Sequence, residues 1–265
     1  MFSAAAIPER EMPVEFPTVV RSAHPVSMPF FPSTPPPPVR AVILDVYHTL
    51  LHVAPGPSDA SQRWEALWRD CFPSGDSTGM ARPSLKEFNA ACRRETALDH
   101  ACKKAAGVQF PEVEWRDIAK RAAPALAALD GMDQSGLDKF LLTHAALERS
   151  CSVMPGAQGF LRAARKRGLL LGIASNAQRY TLGELRNAGV PLRMFDPGLC
   201  FWSWREGFSK PDAGVFKLLS RRLADRGIAP HQILMIGDRA DNDVRPARAA
   251  GWQTWLFTGE WPVLA

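Results

Sequence analysis

The sequence predicts an α/β protein in which a doubly wound parallel sheet carries an inserted all-helical domain. Short apolar runs rich in branched residues recur along the chain, as is typical of buried parallel strands. After Met154 these runs alternate with helical segments that end at glycine, and such alternation indicates a parallel sheet. Residues 53–152 show helical periodicity instead, which predicts a helical domain between the first strand and the rest of the sheet.

Residues 1–39 precede the first predicted strand and contain 10 of the 23 prolines but no glycine. Because proline stiffens the chain and removes hydrogen-bond donors, we expect an extended or disordered tail that the fold does not need. The tail has no basic start followed by an apolar stretch, so it does not resemble a secretory signal.

The first predicted strand covers residues 41–46, where the segment AVILDV opens with four apolar residues. The helical domain follows, and Pro124 is expected to end or kink its third helix. Its tryptophans are expected to fill its core. The predicted helices of this domain cover residues 58–71, 84–104, 111–129 and 135–149.

The alternating segments after Met154 complete the predicted sheet. Helices are predicted over residues 155–168, 181–188, 211–226 and 244–250. Strands are predicted over residues 169–175, 199–204, 232–238 and 252–257. The core domain therefore comprises residues 40–52 and 153–265, and the helical domain comprises residues 53–152.

The composition excludes several classes of protein. The 265 residues are 46% hydrophobic and 22% charged, which suits a globular protein with a sizeable core. No apolar run reaches the roughly 18 residues of a membrane span, and no aromatic–basic pattern indicates a nucleic-acid groove. Five cysteines without zinc-type spacing favour a reducing, cytoplasmic location. The whole chain has a net charge of +5, and its basic excess lies in residues 153–265, which hold 16 basic and 9 acidic residues. A solvated basic face explains this excess most simply.

Polar residues follow the predicted strands at the edge where ligands bind in doubly wound sheets. These residues are Asp45, Ser175, Asn176, Lys210, Asp238 and Asp243. Carboxylates that meet at one edge suit Mg²⁺, which prefers carboxylates, waters and substrate phosphate. A carboxylate can also act as a nucleophile, and a lysine can hold an anionic group. The pattern predicts a site for a small anionic substrate.

Four motifs carry a resemblance to a known superfamily. They read ILDVYHTL (43–50), IASN (173–176), FSKPD (208–212) and IGDRADND (236–243). The chain thereby resembles the haloacid dehalogenase-like (HAD-like) hydrolases over residues 40–52 and 153–265, and the helical insert resembles their cap domain of the first type. The resemblance implies a Rossmann-like core and hydrolysis at a carboxylate nucleophile, in a monomer or a homodimer.

The resemblance also implies roles for the site residues. Asp45 would be the nucleophile, and Lys210 and Ser175 would bind the transferring group. Mg²⁺ would be held by Asp45, Asp238, Asp243 and the backbone carbonyl of Tyr47. Thr49 would orient the nucleophile loop and, with Asn176 beside the second motif, would help to bind the substrate. Asn242 adjoins the fourth motif.

One position departs from the phosphatase pattern. Phosphatases of the superfamily carry an acid–base Asp two residues after the nucleophile, where this chain has Tyr47. The 2-haloacid dehalogenases carry Tyr there, followed by Gly-Thr, but here His48 replaces that Gly. Those enzymes also have Ser in place of Asp238 and Tyr in place of Phe216.

Three hypotheses follow from this mixture of features. The chain is a Mg²⁺-dependent phosphatase that acts through an aspartyl-phosphate on a small phosphorylated metabolite, a 2-haloacid dehalogenase, or a catalytically weak member used for binding. Tyrosine, with an ordinary pKa of about 10, can donate a proton but is a poor base at neutral pH. Whether Tyr47 or His48 performs the acid–base step stays open at this point.

Overall fold

Two sheets organise the part of the chain that the structure, a computed structural model, describes: residues 38–73, 82–132 and 136–264. One sheet has five strands, and the other is a two-stranded ribbon. The strands in chain order are β1 (Ala41–Leu44), β2 (Leu51–Pro55), β3 (Arg149–Val153), β4 (Leu170–Ser175), β5 (Cys200–Trp202), β6 (Ile233–Gly237) and β7 (Gln253–Leu256).

The five-stranded sheet has the order β5-β4-β1-β6-β7, and all its neighbouring strands run parallel. The strand β1 is central, so its carboxyl end lies between the carboxyl ends of β4 and β6. The predicted doubly wound parallel α/β fold is therefore confirmed, with each predicted strand shortened by one to three residues.

Ten α-helices lie within the described residues. They are α1 (Ala60–Cys71), α2 (Leu85–Ala105), α3 (Trp115–Ala122), α4 (Ala127–Met132), α5 (Gly136–Glu148), α6 (Ala157–Lys166), α7 (Thr181–Asn187), α8 (Ser203–Glu206), α9 (Ala213–Ala224) and α10 (Arg245–Ala249).

Both faces of the central strand are buried, which is why its sequence is apolar at every position. Val42 and Leu44 belong to the hydrophobic cluster that includes α6 and α7. Ala41 and Ile43 point the other way, into the cluster that includes α9 and α10. Because side chains alternate across a strand, a sheet covered by helices on both faces needs this unbroken apolar run.

The helices α1 to α5 between β2 and β3 have a hydrophobic core of their own. Trp64 and Trp68 are buried in it, as expected from the sequence. The ring of Trp64 stacks on Phe88 at 4.9 Å between centroids and meets Phe140 edge to face at 5.6 Å. The assignment of residues 53–152 to a domain of their own stays a prediction.

The two ends of the helical insert form a ribbon that the sequence analysis missed. The strands β2 and β3 pair antiparallel, with Val53 opposite Cys151. The prediction of an all-helical insert is therefore wrong at both ends, and the predicted domain boundaries fall inside the ribbon. Neither strand has a strong apolar pattern, because most of their residues are exposed or only partly buried.

Three predicted elements differ from the structure in their bounds or in the turns beside them. The strand predicted over 199–204 stops at Trp202, and a short helix continues to Glu206. The helix predicted over 111–129 begins only at Trp115 and is interrupted before Pro124, which starts a 3₁₀ turn. A π-helical turn, Ala240–Val244, precedes the last helix, and this turn carries Asp243 into the candidate site.

The predicted tail over residues 1–39 lies outside the described residues except for its last two positions, and it stays a prediction. Among the helices of the described residues, none combines the length and the apolar character that crossing a membrane requires.

A buried histidine lies in the aromatic core of the insert. The Nε2 atom of His144 is 2.8 Å from the Oδ1 atom of Asn89, and its ring meets Trp64 and Phe88 edge to face. Burial, reinforced by the charge of Arg149, lowers the pKa of His144 to about 4. The unfolded chain therefore binds a proton more readily than the folded chain at mildly acidic pH.

We expect the free energy of unfolding to decrease as the pH falls from about 6.5 towards 4, with His144 contributing about 2.5 kcal/mol of the loss at pH 4.5. Urea denaturation at several pH values measures this decrease. His144→Gln should remove that contribution, whereas His52→Gln, at an exposed position of β2, should retain it. An unchanged pH dependence in the His144 variant would contradict the assignment.

Candidate active site

Three carboxylates meet at the carboxyl edge of the central strands. Asp45 directly follows β1, Asp238 directly follows β6, and Asp243 lies in the π-helical turn beyond it. One oxygen from each side chain lies within 4.8 Å of the others. The backbone N–H of Asp45 donates to the carbonyl of Ile236 at 2.9 Å, which extends the pairing of β1 and β6 up to the nucleophile position predicted from the sequence.

A buried lysine neutralises part of this charge. The Nζ atom of Lys210 lies 2.7 Å from Asp45 Oδ1 and 2.5 Å from Asp243 Oδ1. Lys210 is 4% exposed, so its charge depends on these two partners. The loop of Lys210 is held by Asn176, whose side chain donates to the Lys210 carbonyl and accepts from the Lys210 N–H.

The electrostatics of the cluster reflect its burial. Burial raises the pKa of Asp45 to about 6, although the charge of Lys210 acts in the opposite direction. Burial and the charge of Asp243 also raise the pKa of Asp238. Burial alone would lower the pKa of Lys210, but the two carboxylates raise it above its ordinary value. Three carboxylates and one ammonium leave a formal charge of −2, which a divalent cation would balance.

Two buried hydroxyls near the ends of β1 and β4 have no hydrogen-bond partner within the described residues. These are Ser175 Oγ and Thr49 Oγ1, and both residues are fully buried. Buried hydroxyls are nearly always paired in folded proteins. Ser175 is the last residue of β4, beside Asn176, so its orphaned hydroxyl suits a group bound beyond that strand.

A cavity of about 240 Å³ opens over the carboxylates. Asp45, Lys210, Asp238 and Asp243 line it, together with Tyr47, His48, Asn176, Arg239 and Asn242. This volume lies below the range of typical drug-sized pockets and suits a small, charged group. The structure thus brings the predicted carboxylates, the lysine and Asn176 together around one cavity, while Ser175 and Thr49 stay outside its lining.

The hydroxyl of Tyr47 does not join the carboxylates. It donates to Glu184 Oε2 at 2.5 Å, lies 2.6 Å from Thr181 Oγ1, and accepts from Arg149 Nη2 at 2.9 Å. Burial raises the pKa of Tyr47 above its ordinary value, and the carboxylate of Glu184 acts in the same direction. The phenol is therefore a weak acid that already has an internal acceptor. No sequence motif marks Arg149 and Glu184, so neither was predicted as a site residue.

The neighbouring residue, His48, is exposed and lines the cavity. Its φ of 58° is the only positive φ at a non-glycine residue in the described chain. A histidine in the left-handed region is uncommon and costs conformational energy, and such residues cluster at functional sites.

The helical insert contacts the site through residues 110–115. The N–H of Ser209 donates to the carbonyl of Phe110, and the N–H of Glu112 donates to the carbonyl of Gly207, at 2.9 and 3.0 Å. The side chain of Glu112 accepts hydrogen bonds from Ser203 and Gln178. The insert is thus bonded to the loop before Lys210 and to the segment after Asn176.

A family model described as haloacid dehalogenase-like hydrolase matches residues 39–251. The chain belongs to the HAD-like hydrolase family. The match includes all four motifs found in the sequence, and it confirms the resemblance on which the site prediction rested.

Several curated proteins resemble parts of this HAD-like chain. A phosphoserine phosphatase of Thermus thermophilus is 34% identical over 42% of this chain and 43% of its own length. A haloacid dehalogenase-like hydrolase domain-containing protein 3 of Bos taurus is 27% identical over 56% of this chain and 57% of its own. A phosphoglycolate phosphatase of Rhodospirillum rubrum is 28% identical over 80% and 76%. The matches span about half the length of the first two relatives.

Among solved structures, the 2-haloacid dehalogenase of Pseudomonas syringae pv. tomato DC3000 covers 82% of this chain and 85% of its own. The TM-score is 0.51 at 18% sequence identity. This likeness shows a shared fold and, at such low identity, says nothing about the reaction.

Replacing Lys210 by methionine is expected to lower the free energy of unfolding by about 3 kcal/mol at neutral pH, because Asp45 and Asp243 would stay buried without their counter-charge. Urea denaturation in the presence of a chelator measures the effect. The exposed Lys217 on α9 provides the matched control, and Lys217→Met should change stability by less than about 0.5 kcal/mol. Equal losses in the two variants would refute the buried charge cluster.

Proposed function

We propose that this HAD-like hydrolase is a phosphatase that acts on small phosphorylated molecules through an aspartyl-phosphate intermediate. The observation that carries the proposal is the buried cluster in which Lys210 contacts Asp45 and Asp243, with Asp238 beside them. Two of the relatives named above are phosphatases, which supports the same choice.

In the proposed reaction, a carboxylate oxygen of Asp45 attacks the phosphorus of the substrate. The ester P–O bond breaks, and the leaving oxygen takes up a proton. Water then attacks the acyl phosphate, releases inorganic phosphate and restores the Asp45 carboxylate. Lys210 would offset the negative charge of the phosphoryl group. The substrate-binding role of Ser175, whose unpaired hydroxyl is buried outside the lining of the cavity, stays a prediction.

The residues present also fit Mg²⁺. The carboxylates of Asp45, Asp238 and Asp243 supply hard oxygen ligands, and their net charge of −2 with Lys210 calls for a divalent cation. The carbonyl of Tyr47 would complete the protein ligands. When bound, the cation would stabilise the charge of the transferring phosphoryl group.

The acid–base step is where this chain departs from related phosphatases. The Tyr47 hydroxyl donates to Glu184, so it is not free to protonate a leaving group in the cavity. His48 lines the same cavity at an exposed position, and we assign the proton transfer to it. Related phosphatases use a carboxylate for this step, whereas His48 is an exposed imidazole. Substrates with good leaving groups, which need little protonation, should therefore react fastest.

The helical insert is proposed to act as the cap that selects the substrate. Its residues 110–115 are bonded to the loop of Lys210 and to Gln178, close to the proposed phosphoryl site. A lid in that position excludes water from the reaction.

A 2-haloacid dehalogenase is the second candidate, favoured by the tyrosine two residues after Asp45. Asp238 in the place of serine argues against it, as does the engagement of the Tyr47 hydroxyl by Glu184 and Arg149.

Asp45→Asn should lower the turnover of p-nitrophenyl phosphate by at least about 10³-fold, because the nucleophile is lost. Phosphate release measures turnover, and circular dichroism checks that the fold persists. Asp241→Asn, which changes an exposed carboxylate near the site, should keep most of the activity. Near-normal turnover in the Asp45 variant would exclude the covalent reaction.

Mg²⁺ is expected to raise Tm, since a ligand that binds only the folded state adds about 2.7 kcal/mol at a concentration one hundredfold above Kd. Thermal unfolding with Mg²⁺ and with excess chelator measures the shift. Asp238→Asn should abolish the shift, whereas Asp241→Asn should preserve it. No Mg²⁺-dependent change in the parent protein would contradict the cation site.

Tyr47→Asp tests whether a carboxylate at this position restores proton transfer to an alkyl phosphate, whose leaving group needs a proton. General acid catalysis is worth about 10²–10⁴-fold, and the variant should recover part of that factor in the ratio of alkyl to aryl turnover, because the loss of the Tyr47 contacts slows both substrates alike. The aryl phosphate, which needs little assistance, should gain much less. If the parent instead releases chloride from 2-chloropropionate and the variant gains nothing on phosphates, the dehalogenase hypothesis is correct.

A further inference from the structure

Arg149 and Glu184 take no part in the proposed reaction, yet both contact Tyr47, which lies two residues after the nucleophile Asp45. We infer that they are positioning residues, which hold Tyr47 and thereby the loop that carries Asp45. The effect on catalysis rests on the proposed function, whereas the effect on the loop does not.

The contacts around Tyr47 form a closed network. The Tyr47 hydroxyl donates to Glu184 Oε2, and Arg149 Nη2 donates to the same hydroxyl. Arg149 also donates from Nε to Glu184 Oε1 at 3.0 Å and from Nη2 to Oε2 at 3.3 Å. The guanidinium carbon of Arg149 lies 4.8 Å from the centre of the Tyr47 ring, within cation–π range. Each of the three side chains therefore contacts the other two.

Burial makes this network stiff. The Glu184 side chain is 7% exposed and that of Arg149 is 25% exposed. Removal of one partner from a buried ion pair leaves the other charge without compensation, so the remaining groups must rearrange. A rearrangement of Glu184 or Arg149 would weaken the hold on the Tyr47 hydroxyl, whose remaining partner is Thr181 Oγ1 at 2.6 Å.

Tyr47 lies in the same compact loop as Asp45, so a movement of its side chain is expected to shift the nucleophile. The N–H groups of Thr49, Leu50 and Leu51 all donate to the carbonyl of Val46, the residue between Asp45 and Tyr47. Displacing the Tyr47 side chain would strain this turn. The Asp45 carboxylate and the Tyr47 carbonyl, which the proposed reaction uses, lie on the same short segment.

Arg149 connects the loop to the helical insert. It is the first residue of β3, directly after the last helix of the insert, and it pairs with Pro55 at the end of the ribbon. Glu184 belongs to α7 of the core. The orientation of Asp45 and the docking of the insert therefore depend on one shared set of contacts.

A double-mutant cycle tests whether Arg149 acts through Tyr47. Arg149→Met should lower kcat for p-nitrophenyl phosphate about tenfold with little change in KM, and Arg149→Lys should restore part of the loss. In the Tyr47→Phe background, Arg149→Met should have no further effect on kcat, because the hydroxyl it positions is gone. Equal effects in both backgrounds would overturn the inference.

Arg179→Met is the matched control. Arg179 also joins the core to the insert, through Glu114 at 3.8 Å, but within the described residues it forms no hydrogen bond or ion pair with Tyr47, Arg149 or Glu184. A tenfold loss of kcat in this variant as well would show that insert docking in general, and not the Tyr47 network, sets the rate.

Amide hydrogen exchange tests the positioning role without a measurement of activity. The amides of Thr49 and Leu50 should exchange faster in Arg149→Met and in Glu184→Gln, and should be unchanged in Arg179→Met. If the parent protein releases no phosphate but the exchange rates change as stated, the proposed function fails and the positioning role stands. Unchanged exchange at both amides in both variants would overturn the positioning role.

Discussion

The burial of Lys210 between Asp45 and Asp243 is the interaction on which the rest of the site depends. None of these charges is stable alone in the interior, so each requires the other two. The lysine comes from the loop before α9, and the two acids follow β1 and β6. The cluster forms only when the central strands are parallel and adjacent, which ties the chemistry of the site to the order of the sheet. The same arrangement of strands therefore builds both the fold and the site.

Tyr47 shows how one substitution redistributes tasks within the family. A short carboxylate at this position would lack the reach of the phenol and would form neither of its hydrogen bonds with Glu184 and Arg149. The longer tyrosine side chain reaches Glu184 and Arg149 and exchanges hydrogen bonds with both. The residue at this position therefore does not donate a proton to the leaving group, but it links the nucleophile loop to the helical insert. The proposed chemistry then relies on the leaving group and on His48.

Much of the fold was predictable because it rests on local properties of the sequence. The run AVIL must be buried on both faces, so it predicts a central strand. Glycines at the ends of helical segments and Pro124 inside one mark boundaries through backbone conformation alone. Asp45 and Asp238 were identified for the same reason, since each comes directly after a buried strand. Parallel strands bring their carboxyl ends to one edge whatever the details of packing.

By itself, then, the sequence determined the fold class, the order of most elements and the residues that meet at the sheet edge. Only the tertiary structure decided the pairing of β2 with β3 and the direction of the Tyr47 side chain. The same holds for the contact of Lys210 with both acids. These features join segments that are far apart along the chain. Strand periodicity and helix signals are properties of neighbouring residues, whereas a hydrogen bond between distant residues depends on where the whole fold places them.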